Sequence, residues 1–146
     1  MSTPQGLAIL GSTGSIGRST LAVVALHPER FRVAVLAAHS SWQVIVEQAR
    51  QYDAETVVLV DPQAAALARA ALRDCGSAAR VDSGPEALAD AVAAGNVDVV
   101  MAAIVGAAGL PSTLAAVRAA RSECHAAVIY CVNRPNGSAS TFVSGL

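Results

Sequence analysis

Residues 7–17, with the sequence LAILGSTGSIG, decide the fold of this chain. An apolar run predicts a short buried strand, and three glycines at every third position lead from it into a helical pattern. Gly11 permits a tight turn, Gly14 lets the backbone approach a bulky anion, and Gly17 lets the helix lie close to the sheet. Unpaired amides at the start of the helix stabilise a pyrophosphate. The stretch therefore predicts a dinucleotide site, and the alternative is a glycine-rich turn without a ligand.

The rest of the chain alternates between short apolar runs and alanine-rich helical patterns. The predicted strands are residues 7–10, 31–38, 56–60, 80–82 and 97–104, and helices begin near residues 15, 40, 62, 85 and 110. This order predicts a Rossmann-like α/β fold, a doubly wound parallel sheet with helices on both faces. Residues 121–146 lack a helical period and contain a turn-rich run at 133–138.

Composition narrows the class of partner. The chain has 146 residues, of which 53% are hydrophobic and 14% charged, so one folded domain is expected. The net charge of −1, without a basic patch, argues against nucleic acid as a partner. No apolar run is long enough for a membrane span and no signal peptide is recognisable, so we expect a soluble, cytoplasmic protein. Three cysteines without paired spacing indicate free thiols instead of disulfides or a zinc site.

The end of the second predicted strand indicates which dinucleotide is bound. In NAD-binding folds an acidic residue at this point bonds the ribose hydroxyls. Here the strand runs into His39, Ser40 and Ser41 with no Asp or Glu, so a 2′-phosphate would meet hydroxyl donors instead of a repelling carboxylate. This pattern favours NADP(H). The alternative role for the serines is helix capping, since Ser40 followed by Gln43 fits a capping box, and both roles can coexist.

Two stretches resemble a known family. Residues 8–24, AILGSTGSIGRSTLAVV, and residues 99–114, VVMAAIVGAAGLPSTL, resemble 1-deoxy-D-xylulose 5-phosphate reductoisomerases, and the resemblance covers roughly residues 7–119. It implies an NADPH-dependent conversion of that phosphorylated sugar to 2-C-methyl-D-erythritol 4-phosphate, in the non-mevalonate isoprenoid pathway. It also implies a divalent metal, Mn or Mg, which polarises the substrate oxygens in the full-length enzymes. Family members are usually homodimers.

The resemblance also implies site residues. Thr13, Gly14, Ser15 and Ile16 match the positions that hold the NADPH phosphates, and residues 39–41 match the segment that selects NADP. The buried strand at 97–104 is followed by a glycine-bearing loop at the carboxyl edge of the sheet. The end of this strand and the loop either line the cofactor site or only pack against the next helix. The candidate cofactor-binding residues are Gly11, Thr13, Gly14, Ser15, Ile16, Gly17, His39, Ser40, Ser41, Ala103, Ile104 and Gly106.

The resemblance fails near the end of the chain. The family continues into a strand that ends Ala-Asn-Lys-Glu, and its Asn, Lys and Glu positions fall at Ala127, Val128 and Ile129, which cannot contact cofactor or substrate in the same way. The metal-binding carboxylates and the substrate phosphate site have no counterpart either. We therefore expect residues 1–120 to form an NADP(H)-binding Rossmann domain and residues 121–146 to be a divergent tail, foreign to the family. A coding sequence that restores Asn-Lys-Glu in a shifted frame would explain the tail.

Three functions are consistent with these residues. The first is a reductoisomerase by descent, represented here by its NADPH-binding part, with no catalytic or metal-binding residue of its own. The alternative is a catalytically inert dinucleotide-binding module. A third, an aspartate-semialdehyde-type dehydrogenase, shares the glycine pattern but needs a catalytic cysteine in a setting that Cys124 and Cys131 lack.

Overall fold

Strands and helices alternate along the chain in a computed structural model that describes residues 3–104, 118, 127–133 and 139–144. The strands are β1 (Gln5–Leu10), β2 (Phe31–Ala38), β3 (Thr56–Leu59), β4 (Arg80–Ser83), β5 (Val99–Ile104), β6 (Ala127–Asn133) and β7 (Ala139–Ser144). The helices are α1 (Ser15–Leu26), α2 (Trp42–Gln51), α3 (Pro62–Asp74) and α4 (Pro85–Val92). The alternation predicted up to residue 104 is confirmed. The helix expected from residue 110 lies outside the described residues, apart from Arg118, which is helical.

All strands belong to one sheet, in the order β4-β3-β2-β1-β5-β6-β7. The chain builds outward from β1 to β4 and then returns to place β5 on the other side of β1. Strands β1 to β5 are parallel, as predicted, and β6, which was not predicted, continues the parallel sheet. The carboxyl ends of β1 and β5 meet where the chain reverses the direction in which it adds strands. This switch point is where open α/β sheets bind ligands.

The antiparallel strand β7 was not predicted. It pairs with β6 from Val128↔Ser144 to Asn133↔Ala139. Only residues 134–138 separate the two strands, which is too short for the crossover that a parallel pair requires, so the chain must return antiparallel. The stretch from residue 121 therefore contributes two strands to the sheet, although its sequence shows no regular period.

Helices cover both faces of the sheet, which confirms the doubly wound architecture. Helices α1, α2 and α3 pack on one face with Leu7 and Ile9 of β1, whereas α4 packs on the other face with Ala8 and Leu10. Crossovers between parallel strands are right-handed, so reversing the direction of building after β4 moves the next helix to the opposite face. Side chains of β1 thus contribute alternately to two separate hydrophobic cores, one on each face of the sheet.

The start of α2 differs from the prediction. The capping residue is Ser41, and no side chain caps the helix, so the capping box of Ser40 and Gln43 is wrong. The helix begins one residue later than that box requires, because the Trp42 amide is bonded to the Ser40 carbonyl at 2.8 Å in a turn. The hydroxyls of the two serines are therefore not used to cap α2.

Candidate functional site

The glycine loop, defined here as residues 11–14, connects β1 to α1 at the switch point. The amides of Gly11 and Ser12 both donate to the Ala37 carbonyl, at 2.8 and 3.0 Å, which ties the loop to the carboxyl end of β2. Gly11 has a φ of +81°, and a Cβ built on it would lie 2.4 Å from the carbonyl oxygen of Ala103 in β5. The tight turn predicted at Gly11 is confirmed, and the loop is pressed between the ends of β2 and β5.

Gly17 and Gly14 meet different surroundings. A Cβ on Gly17 would lie 2.5 Å from both the Gly11 carbonyl oxygen and the Ser12 Cα, so the first turn of α1 packs against the backbone of the glycine loop. The predicted close approach is confirmed, but its neighbour is the loop instead of the sheet. Among the described residues, a Cβ on Gly14 would meet only the Gly11 oxygen, at 3.5 Å, which is an ordinary van der Waals contact. Nothing in the described fold requires glycine at position 14.

The start of α1 has the electrostatic character of an anion site. Gly14 is the N-cap, no side chain caps the helix, and its first turn contains no acidic residue. Within the described part of the chain, the amides of Ser15, Ile16 and Gly17 have no acceptor. Their partial positive charge, reinforced by the helix dipole, stabilises an anion placed over Gly14.

Ser12 explains how the loop departs from the common GxGxxG pattern. This residue replaces the second glycine of that pattern, and its side chain is fully buried. Because the side chain lies in the interior, its Cβ does not obstruct the outer side of the loop. Two side chains bond the loop carbonyls: Gln48 Nε2 donates to the Ser12 oxygen at 2.9 Å, and Arg18 Nε donates to the Thr13 oxygen at 3.0 Å.

Sequence reasoning missed Gln48. This glutamine lies in α2 between Ile45 and Ala49, on the face of the helix that is buried against the sheet. A polar residue inside an apolar stripe with helical spacing is the signal that could have drawn attention to it. Its partner, however, could not be identified without the fold.

The residues predicted to select NADP lie at the carboxyl end of β2. His39, Ser40 and Ser41 are all exposed. The His39 carbonyl accepts from the Asp61 amide at 3.0 Å, which links this segment to the start of α3. The Asp61 carboxylate accepts from the Gln63 amide at 3.0 Å and so caps α3. The exposed segment thus presents two serine hydroxyls and an imidazole at the mouth of the sheet.

The third group of predicted residues lies at the end of β5. Ala103 is buried, with its carbonyl against Gly11, and Ile104 is the last residue of the strand. Gly106 lies outside the described residues. The carboxyl edge of the sheet therefore brings together the glycine loop, residues 39–41 and Ala103. Contact of any of them with a ligand stays a prediction.

The positions expected to replace the family's Asn, Lys and Glu lie away from this edge. Ala127, Val128 and Ile129 begin β6 and pair with the first residues of β5, at the amino edge of the sheet. The family resemblance predicts that these three residues end a strand, whereas they begin one. The end of β6 is instead Asn133, one residue beyond the pair Ile104↔Val132, so its backbone lies at the same edge as the glycine loop.

The described residues do not provide a metal centre. Within those ranges, no three His, Cys, Asp or Glu side chains are close enough together to hold a metal ion. In the same ranges, no helix has both the length and the apolar character required to cross a bilayer.

The family model and the curated relatives that match this chain name the same enzyme family. The family model for 1-deoxy-D-xylulose 5-phosphate reductoisomerase matches residues 7–126. The protein of that name from Paraburkholderia xenovorans is 50% identical over 115 residues, which are 79% of this chain and 29% of that protein. The Acidithiobacillus ferrooxidans protein is 48% identical over 122 residues, which are 83% of this chain and 31% of its own.

Solved structures of the same enzyme share the fold. The reductoisomerase from Zymomonas mobilis in complex with NADPH has a TM-score of 0.71 and 38% identity, covering 82% of this chain and 31% of that one. A reductoisomerase in complex with NADPH, fosmidomycin and magnesium has a TM-score of 0.73 and 32% identity, covering 86% of this chain and 36% of that one.

The matches cover only part of the relatives and part of this chain. The chain spans about three tenths of the length of the curated relatives it matches. Residues 127–146, which include β6 and β7, lie beyond the range that the family model matches. The matched range contains the glycine loop and strands β1 to β5. The chain therefore belongs to the 1-deoxy-D-xylulose 5-phosphate reductoisomerase family.

Proposed function

We propose that this chain binds NADPH, with the diphosphate over the glycine loop and the first turn of α1. The observation that carries the proposal is the acid-free start of α1 at the switch point, where the amides of residues 15–17 have no acceptor within the described part of the chain. The proposal places a phosphate above Gly14, where a Cβ would meet only the Gly11 oxygen among the described residues. Two solved relatives that contain NADPH support the same ligand.

Each candidate residue has a distinct proposed role. The amides of Thr13, Ser15 and Ile16, with the hydroxyls of Thr13 and Ser15, bind the diphosphate oxygens. Gly11 and Gly17 allow the loop to take this shape without touching the ligand. Ala103, Ile104 and Gly106 wall the cofactor beyond the diphosphate, where β5 ends beside the loop.

The 2′-phosphate is proposed to lie at residues 39–41. Both serines are exposed, and neither hydroxyl caps α2. A dianionic phosphate is stabilised by these donors and by the imidazole of His39, and no carboxylate of this segment repels it. We propose on this ground that the chain prefers NADPH to NADH.

Calorimetric titration tests this preference. We expect the dissociation constant for NADH to exceed that for NADPH by about tenfold or more, since each charge-assisted hydrogen bond contributes roughly 1.5–3 kcal/mol. Replacing Ser40 with aspartate should remove most of the difference, because a carboxylate repels the 2′-phosphate. Ser83→Asp, which adds the same charge at the end of β4, serves as the control and should leave the preference intact. Equal affinity of the parent chain for both dinucleotides would contradict the proposal.

We further propose that the chain is the NADPH-binding part of an enzyme that converts 1-deoxy-D-xylulose 5-phosphate to 2-C-methyl-D-erythritol 4-phosphate. In that reaction NADPH supplies a hydride when bound. The residues of this chain bind the dinucleotide, orient it along the carboxyl edge of the sheet and hold its diphosphate on backbone amides. For the whole enzyme, we propose that it also binds the sugar phosphate and a divalent metal and that it forms a homodimer.

The second candidate is a dinucleotide-binding module without catalysis. It is favoured by the aliphatic residues Ala127, Val128 and Ile129, which the family resemblance places where an Asn, a Lys and a Glu are expected. Since the family model matches residues 7–126, we propose that the stretch foreign to the family is residues 127–146 instead of 121–146, and the coding sequence in all three frames tests it. Recovery of Asn-Lys-Glu in a shifted frame supports a frameshift as the origin.

An assay of the purified chain with 1-deoxy-D-xylulose 5-phosphate, NADPH and Mn²⁺ distinguishes the two candidates. We expect no NADPH oxidation above background at 340 nm, because Ala127, Val128 and Ile129 have aliphatic side chains where the family resemblance places an Asn, a Lys and a Glu. A full-length relative in the same assay is the positive control. Substrate-dependent oxidation by the chain alone would show that residues 121–146 supply the missing chemistry, and would reject the inert module.

A further inference from the structure

A buried hydrogen bond joins α2 to the glycine loop. Gln48 Nε2 donates to the Ser12 carbonyl oxygen at 2.9 Å, across 36 residues of sequence, and both residues are buried. The orientation of the amide is determined, because turning it over would place the Gln48 oxygen against the Ser12 oxygen. A buried polar side chain on the apolar face of a helix carries a desolvation cost. The bond offsets this cost for Nε2, whereas the Oε1 atom of Gln48 is buried without a hydrogen-bond partner among the described residues.

The bond determines where the next amide points. In a planar trans peptide the C=O and N–H directions are opposite, so a Ser12 carbonyl held toward α2 turns the Thr13 N–H away from α2. The Thr13 amide has no acceptor within the described part of the chain. The peptide geometry therefore directs it to the side of the loop that Gln48 does not occupy.

The neighbouring carbonyls are held in the same manner. The Gly11 oxygen accepts from the Gly14 amide at 3.2 Å, and the Thr13 oxygen accepts from Arg18 Nε at 3.0 Å. With the Ser12 oxygen bonded to Gln48, all three carbonyl oxygens from Gly11 to Thr13 have donors inside the protein. A carbonyl oxygen carries partial negative charge, so a free one facing the ligand would repel a phosphate.

We infer that Gln48 is a positioning residue for the diphosphate of the dinucleotide. It does not touch the ligand. By holding the Ser12 carbonyl inward, it keeps the Thr13 amide directed at the phosphate and keeps the loop free of outward-facing oxygens. This inference rests on the proposed NADPH binding, and it adds a residue outside the glycine motif to the binding machinery. A purely structural role, in which Gln48 only fastens α2 to the sheet, is the alternative.

The test uses Gln48→Met, which keeps the length of the side chain and removes the donor. Gln51→Met is the matched control, since Gln51 lies in the same helix and lines the same groove of about 490 Å³ between α1 and α2, without a bond to the loop. Two ligands are titrated by calorimetry: NADPH, and adenosine 2′-monophosphate, which has the 2′-phosphate but no diphosphate. We expect Gln48→Met to weaken NADPH about tenfold and adenosine 2′-monophosphate by less than about twofold.

Each result has a defined meaning. If Gln48→Met weakens both ligands equally, α2 has shifted as a whole and the positioning role is wrong. If it leaves NADPH binding unchanged while the parent chain binds both ligands, the inference fails and the proposed function stands. If the parent chain binds neither ligand, the proposed function fails and the inference falls with it. Gln48→Asn, which keeps a polar amide but is one methylene shorter, is the second variant should Gln48→Met not fold, and the same selective loss is expected.

Discussion

Replacing Gly11 with alanine is expected to lower the free energy of unfolding by about 3 kcal/mol or more, enough to unfold a marginally stable domain. The added Cβ would lie 2.4 Å from the carbonyl oxygen of Ala103, which is backbone and cannot rotate away. The φ of +81° adds strain, since residues with a Cβ are disfavoured there. Urea denaturation followed by circular dichroism measures the effect.

Gly95→Ala is the control for the backbone strain alone. Gly95 also has a φ of +81°, but a Cβ built on it has nothing within 4 Å. We expect a loss of about 1–2 kcal/mol for this variant, the cost of placing an alanine in the left-handed region. The difference between the two variants measures the close approach of the glycine loop to β5. Equal losses would mean that the loop and β5 are not in contact in solution.

Replacing Gly14 with alanine is expected to separate binding from folding. The Cβ would make one ordinary contact, at 3.5 Å, and the φ of −79° suits any residue, so the chain should keep its stability to within about 1 kcal/mol. NADPH binding, however, should weaken about tenfold or more. The added methyl group occupies the space through which a phosphate reaches the amides of Ser15 and Ile16.

Calorimetric titration and urea denaturation of the same preparation measure both quantities for Gly14→Ala. Gly11→Ala should lower the free energy of unfolding, whereas Gly14→Ala should lower the affinity for NADPH at nearly constant stability. The two variants therefore separate the contribution of the loop to folding from its contribution to binding. If Gly14→Ala binds NADPH as tightly as the parent chain, the diphosphate does not lie over Gly14. The proposed pose would then have to be abandoned, although membership of the family would be unaffected.

The sequence alone determined the features that depend on neighbouring residues. The glycine spacing at residues 11–17 predicted the strand, turn and helix that the structure contains, because a tight turn and a close helix each require a residue without a Cβ. The apolar run at residues 31–38 has the bounds of β2, since a strand buried on both faces needs an unbroken apolar sequence. The same local patterns carried the family resemblance.

Contacts between residues far apart in the chain were decided only by the tertiary structure. The bond from Gln48 to Ser12 exists because the β2–β3 crossover places α2 beside the glycine loop, and no local sequence pattern encodes that contact. Burial of Ser12 and the position of Asn133 at the site edge likewise depend on how the strands pair. The periodicity of apolar residues in the sequence indicates which face of a helix or strand is buried. The hydrogen-bond partner of a buried polar atom, however, depends on how the helices and strands pack.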